Sequence, residues 1–240
     1  MGNLTTLTTI SLGYNQFSGT IPVELADLTA LTSLSLSDNN LSGTIPVELA
    51  NLTALTTFQL NDNNLSGTIP PELGNMTLLN YLRLQGNQLK GDIPSALINL
   101  TALNTGGLDI RWNGLYTADT GLRDFLNTKQ TGSDWEATQT TAPTGVSTGD
   151  ITYDSLKVSW TPIAYQDETG GYNVYYSTTS GSGYALAGST TTKSAGSYTV
   201  TGLDGDTTYY FVVEAFTDSH TDNKNTVTGD YSAEVSASTQ

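Results

Sequence analysis

At 240 residues the chain is long enough for one large domain or two ordinary ones, each with a core of its own. Its 8 Lys and Arg stand against 23 Asp and Glu, a formal net charge of −15, shared evenly between the halves: 5 basic and 12 acidic residues up to position 141, 3 and 11 beyond it. Such a field repels phosphate backbones and anionic headgroups, so nucleic acid and membrane surfaces are not expected partners, and the lack of Cys excludes disulfides and thiolate chemistry. No apolar run approaches the ~20 residues that span a bilayer. The opening "MGNLTTL" has neither the basic nor the apolar region of a signal peptide, and it reads as an excerpt from a longer chain.

The first half repeats itself at a 24-residue shift, from "NLTTLTTISLGYNQFSGTIPVELA" at Asn3 to "NMTLLNYLRLQGNQLKGDIPSALI" at Asn75. Apolar columns recur at Leu4, Leu28, Leu52 and Met76, at Ile10, Leu34, Phe58 and Leu82, and at Leu12, Leu36, Leu60 and Leu84. Between the last two columns apolar and polar residues alternate, as in a short strand with one buried face. One such strand cannot bury that face alone, so the units must stack. Asn15, Asn39, Asn63 and Asn87 follow the strand, where an inward carboxamide can bond the backbone of neighbouring coils. Gly19, Gly43, Gly67 and Gly91 mark a bend, and Ile-Pro pairs at 21, 45, 69 and 93 supply an apolar anchor followed by a fixed φ. A fifth unit from Asn99 brings Ile110, Asn113 and Leu115 into the same columns after a two-residue insertion near "NTGG". "TADTGLRDFLNTK" then places Leu122, Phe125 and Leu126 on one helical face, as a C-terminal cap for the open core.

The pattern "LxxLxLxxNxLSGxIPxxL" resembles the leucine-rich repeat in its 24-residue plant-type form. That resemblance implies a curved solenoid with a parallel sheet on the concave face and irregular coils on the convex one. No N-terminal cap and no cysteine-bearing flanks accompany it.

We read residues 1–137 as the solenoid with its cap, 138–141 as linker and 142–240 as a second domain. Beyond "DWEATQTTAPTGVSTG", which lacks periodicity, short alternating runs are separated by turn residues: "SLKVSWTP", "GYNVYYSTT", "GYALAGST", "GSYTVTGL", "TYYFVVEAF" and "YSAEVSAS". They predict an antiparallel β-sandwich, with Leu156, Val158 and Trp160 inward on one strand and Tyr209, Phe211 and Val213 on another. With Pro143 at its start, Trp160 on its second strand and "GLDGDTTYYFVVEA" leading into its sixth, this half is similar to a fibronectin type III domain. The resemblance puts Leu203 and Tyr209 at a tyrosine corner. Where some members carry a receptor-binding Arg-Gly-Asp, this chain has Thr228-Gly229-Asp230, and that activity is not carried over. The two resemblances together, in a Cys-free, Thr- and Gly-rich chain, suggest a bacterial surface or secreted repeat protein. The fold class expected is therefore mainly β.

Catalysis has little to work with. His220 sits in the polar run "TDSHTDNKN" beside Asp218 and Asp222, without a pocket, and is read as part of a solvated loop. Asp167 and Glu168 read as a hairpin tip, and Asp38 and Asp62, on neighbouring coils, fall short of the six to eight oxygens of a Ca²⁺ site. No P-loop, G-x-S-x-G or H-E-x-x-H occurs. No catalytic residue, metal site or cofactor is expected, and the chain is read as a non-enzyme. Sequons at Asn3, Asn40, Asn51, Asn64, Asn75 and Asn99 are spelled by the repeat itself and carry no separate message.

Binding is expected on the outward residues of the concave strands. The first coils offer small polar groups there, with Gln59 and Asn61 on the third. At the C-terminal end Tyr81, Arg83, Gln85, Asp109, Arg111 and Trp112 change the character, since Tyr, Trp and Arg are enriched at binding hot spots. The competing reading is that Tyr81 and Trp112 cover the irregular fifth coil. The expected function is that of an extracellular or cell-surface adhesion module binding a protein or glycan as a monomer. A structural, self-associating stalk segment is the alternative. Surface recognition of ice, suggested by the column Thr5, Thr29, Thr53, Thr77 and Thr101, is a remoter reading.

Overall fold

The computed structural model describes residues 4–132 and 134–240; Asn3, which opens the first repeat and one sequon, lies outside them. Two compact units result: Met1–Gln139 with Ser219–Asn225, and Thr140–Asp218 with Thr226–Gln240.

In the first unit every coil gives two short strands: β1 (Thr9–Ser11) and β2 (Ser18–Thr20), then β3 (Ser33–Ser35) and β4 (Asn40–Gly43). The third and fourth coils add β5 (Thr57–Gln59), β6 (Asn64–Gly67), β7 (Tyr81–Arg83) and β8 (Gln88–Asp92). The fifth adds β9 (Leu108–Asp109) and β10 (Gly114–Tyr116). Odd strands form one parallel sheet in the order β1-β3-β5-β7-β9, even strands a second in the order β10-β8-β6-β4-β2. The second ladder, after the Asn column, adds to the concave sheet that was expected. Its cause is local: Gly19, Gly43, Gly67 and Gly91 all take positive φ, between 78 and 91°, which lets the chain bend away without losing its alignment to the next coil. Each Ile-Pro then opens a 3-10 turn, Val23–Asp27 in the first coil, with Pro22 at φ −65°.

The apolar columns form one continuous core, with Leu34, Phe58, Leu82, Leu60 and Leu84 fully buried. Register confirms the insertion in the fifth coil, since Leu82 faces Leu108 where Phe58 faces Leu82. The helix α1 (Thr120–Lys129) closes the stack. Asp119 caps it by accepting from the N–H groups of Gly121 (2.8 Å) and Leu122 (3.1 Å), and Leu122 and Leu126 are buried while Phe125 is partly so.

The second unit is antiparallel. Its strands are β11 (Thr144–Gly149), β12 (Ser155–Thr161), β13 (Gly170–Ser177), β14 (Ala185–Ser189), β15 (Ser197–Thr201), β16 (Thr208–Thr217), β17 (Val227–Tyr231) and β18 (Val235–Ser238). One sheet runs β11-β12-β15, the other β14-β13-β16-β17 with β18 also on β16. Strand β11 lies in the aperiodic stretch that opens the second domain, and β17 contains Thr228-Gly229-Asp230, beyond the polar run that ends at Asn225; their Gly- and Thr-rich composition hides the alternation. Leu156, Val158 and Trp160 point inward as expected, and Trp160 meets Tyr172 with ring centroids 5.1 Å apart. The hydroxyl of Tyr209 accepts from Asp204 N–H at 3.0 Å, which forms the tyrosine corner.

Candidate functional site

The concave sheet presents two different surfaces. On its N-terminal half Thr9, Ser11, Ser33, Ser35, Gln59 and Asn61 line an open concavity of about 520 Å³, with Tyr14, 85 % exposed, at its edge. These side chains are held out by strands only three residues long, whose alternate residues fill the core.

The C-terminal half is a charged network. Asp109, 2 % exposed, takes a bidentate pair from Arg111, Nε to Oδ1 at 3.0 Å and one terminal nitrogen to Oδ2 at 2.7 Å. Gln130 Nε2 donates to the same Oδ1 at 3.1 Å. Arg83 lies 3.9 Å from Asp109, and also donates to Thr131 Oγ1 at 2.5 Å and Gly106 O at 2.9 Å. The Asp109 hydrogen bonds raise the Arg111 pKa above its ordinary value, and its guanidinium lies 4.4 Å from the centroid of Trp112. The sequence-predicted residues Arg83, Asp109, Arg111 and Trp112 are thus brought together, and two of them, Arg83 and Asp109, bond Thr131 and Gln130, the residues just after α1. Tyr81 stands apart, 41 % exposed, and the side-chain oxygen of Gln85 is buried without a donor among the described residues.

At the turn after the concave strands, Asn39, Asn63, Asn87 and Asn113 form a buried ladder. Asn63 donates to Leu36 O (3.0 Å), Leu60 O (3.1 Å) and Asn61 O (3.1 Å), and accepts from Leu41 N–H (3.0 Å). Gln139, within the stretch read as linker, ends the ladder: it is 2 % exposed, donates to Ile110 O and accepts from Leu115 N–H. Its place after Asn113 repeats the interval from Asn87 to Asn113, a signal present in the sequence. The segment Ser219–Asn225 of this unit also departs from the solvated loop expected. Asn225 donates to Asn63 O at 2.6 Å, Asn223 to Asn87 O at 3.0 Å and Trp112 O at 2.8 Å, and Lys224 to Asn39 O. Nothing in the sequence signals those contacts.

Chemically the concave face offers hydroxyls, amides, two guanidinium groups and an exposed tyrosine ring. That set suits recognition through hydrogen bonds and stacking.

Stacked two-strand coils closed by a helix define a repeat solenoid, and the second unit a β-sandwich. Residues 6–28, 30–52, 54–76 and 78–100 match the Leucine Rich Repeat family, and residues 141–229 match the Fibronectin type III domain. The chain is a leucine-rich repeat solenoid, four of its five coils matching the family, followed by a fibronectin type III domain. No curated protein matches it. Among solved structures it is similar to the Arabidopsis receptor kinase HAESA in complex with the peptide hormone IDA and the co-receptor SERK1. That likeness has 40% identity and a TM-score of 0.50, over 56% of this chain and 22% of that one. The plant peptide hormone receptor RGFR1, in complex with RGF2, shares 45% identity over 46% of this chain and 17% of its own, with a TM-score of 0.43. A plant ice-binding protein shares 36% identity over 48% of this chain and 36% of its own, also with a TM-score of 0.43. The chain spans about a fifth of the length of the two receptors.

Proposed function

We propose that this chain is a non-catalytic, extracellular or cell-surface binding module whose concave face recognises a protein or peptide. The similarity to the receptor kinase HAESA carries this reading, because that protein is in complex with a peptide hormone and a co-receptor. The local geometry supports it: an open, hydroxyl- and amide-lined concavity adjoins Tyr81 and the fixed Arg83–Asp109–Arg111 network. Side chains already locked in place lose little entropy on binding. Glycans share the hydrogen-bonding chemistry and are the second ligand class to screen.

The test is a binding screen of the chain against secreted proteins, their peptides and a glycan panel. It is run beside a variant with Tyr81→Ser, Gln59→Ala and Ser35→Glu, exposed or half-exposed changes that leave the core untouched. A protein or peptide ligand held by the first and lost by the folded variant supports the reading. Equal binding by both would move recognition off the concave face. A mass that grows with concentration, with no ligand found, would replace the reading by a structural, self-associating one.

A further inference from the structure

Lys193 lies between β14 and β15 of the sandwich, far in sequence from the repeats, and is 4 % exposed. Among the described residues its ammonium has no hydrogen-bond partner, and it sits 3.8 Å from the centroid of the Tyr165 ring. A buried cation with no acceptor is costly, so its position calls for an explanation. The backbone around it is held firmly: the Lys193 carbonyl accepts from the Tyr172 hydroxyl at 2.8 Å and from Gln166 Nε2 at 3.1 Å. Gly170 makes room for the stem, since a Cβ there would come within 3.0 Å of Lys193 Cε.

Above this side chain lies a cavity of about 390 Å³, lined by Lys193 with Asp167, Thr169, Thr191, Thr192 and Ser194 among others. That volume falls in the ~300–1,000 Å³ range of small-ligand sites. The lining restricts the ligand. An anion would face the charges of Glu168, Asp167 and Asp218, all close enough to act on Lys193. A metal ion would face the ammonium. An apolar ligand would cover the Asp167 carboxylate and the hydroxyls of Thr169, Thr191, Thr192 and Ser194 and offer them no partner beyond the Ser194–Thr192 bond at 3.3 Å. A ligand that both donates and accepts at neighbouring positions meets every demand.

We propose that this cavity binds a neutral polyol, a single sugar residue being the class that fits. Lys193 Nζ would turn from the Tyr165 ring to donate to one ligand hydroxyl, while an adjacent hydroxyl donates to Asp167. Thr191, Thr192 and Ser194 then exchange hydrogen bonds with the remaining hydroxyls. Burial, the largest influence on Lys193, lowers its pKa to about 8 despite the neighbouring carboxylates. An acceptor supplied by the ligand stabilises the charged form and moves that value upward.

The experiment follows the ε-methylene signals of isotope-labelled lysines by NMR during titration with mannose, galactose, N-acetylglucosamine and inositol, with glucuronate and acetate as charged counterparts. Saturable shifts of the Lys193 signal with a neutral sugar, and a higher titration midpoint for it, are the expected result. Lys193→Met should abolish the binding, read by calorimetry, and Asp167→Asn, at an exposed position, should weaken it several-fold. Should Lys193→Met not fold, Asp167→Asn and the NMR titration still decide. The proposal is overturned if no neutral sugar moves the Lys193 signal, if Asp167→Asn binds as tightly as the parent, or if the carboxylates bind better than the neutral sugars.

Discussion

Tyr14, Asp38, Asp62, Gly86 and Trp112 occupy the same place in successive coils, and all five take positive φ, between 53 and 68°. Only one is glycine. Asp tolerates this region because its short polar side chain bonds locally, whereas Tyr14 and Trp112 hold it at a cost offset by the sheets on either side. Gly86 has a second reason: a Cβ there would come within 2.5 Å of Asp62 Oδ1. Asp62 is a weak point of the column. Burial, with Asp38 nearby, raises its pKa above 3.8, although a hydrogen bond from Asn61 and the charge of Lys224 act the other way. A raised carboxylate favours the folded state fully only below pH 3.8, and that contribution is lost as pH rises through the folded value. Asp62→Asn keeps the backbone preference and removes the charge. Its melting temperature should exceed that of the parent at pH 7 and converge on it below pH 3.8. An equal or lower melting temperature at pH 7 would show that the Asn61 bond outweighs burial.

At the scale of the element, the coil is held by its asparagine as much as by its leucines. Asn63 is fully buried, and its removal leaves the Leu41 N–H without its acceptor, while Leu36 O, Leu60 O and Asn61 O lose one of two donors and keep Asn39 Nδ2, Asn87 Nδ2 and the Asp38 N–H. With about 1–3 kcal/mol for the N–H left unpaired and about 0.5–1.5 kcal/mol for each of the three other bonds lost, Asn63→Ala should destabilise the first unit by at least about 2.5 kcal/mol. Asn15, on the first coil, is exposed and donates only to Leu12 O and Gly13 O, so Asn15→Ala should cost under about 1 kcal/mol. Denaturant unfolding of the two variants checks the ordering, and equal losses would refute the ladder as the source of cohesion. The sequence made this element legible because its period fixes which residues face inward. The columns, the helix with Leu122 and Leu126, and the sandwich strands with apolar alternation could all be read. The second ladder could not, since "NNLSG" shows no alternation and its extended form depends on the neighbouring coil. The candidate site was legible only as residue types on a face. That Asp109 is buried beneath Arg111 and Gln130 follows from the cap folding back, and Asn223 and Asn225 reach partners more than a hundred positions away.

Across the whole molecule, a chain at −15 gains little by charge and is exposed to its own repulsion as pH rises. Two groups of the sandwich, the buried Lys193 and the half-buried Tyr175, shape the response more sharply. Lys193, lowered from 10.5 to about 8 chiefly by burial, is neutral in the folded state where the unfolded chain still carries its proton. Its cost is therefore relieved as pH rises from about 8 to 10.5. Tyr175 acts in the opposite sense: burial first, then the Glu214 carboxylate that accepts from its hydroxyl at 3.0 Å, raises it from 10.0 to about 12. The stability it supplies is complete below pH 10 and is lost on the way to pH 12. The unfolding free energy of the sandwich should thus climb from pH 8, peak near pH 10 and fall beyond it. Lys193→Met should flatten the climb, and Tyr175→Phe should soften the fall. General repulsion would also produce a fall, but salt screens exposed charges strongly and the half-buried Tyr175–Glu214 pair much less. Denaturant titrations at low and high salt separate the two causes, and a sandwich that loses stability steadily from pH 8 upward would refute the role given to Lys193.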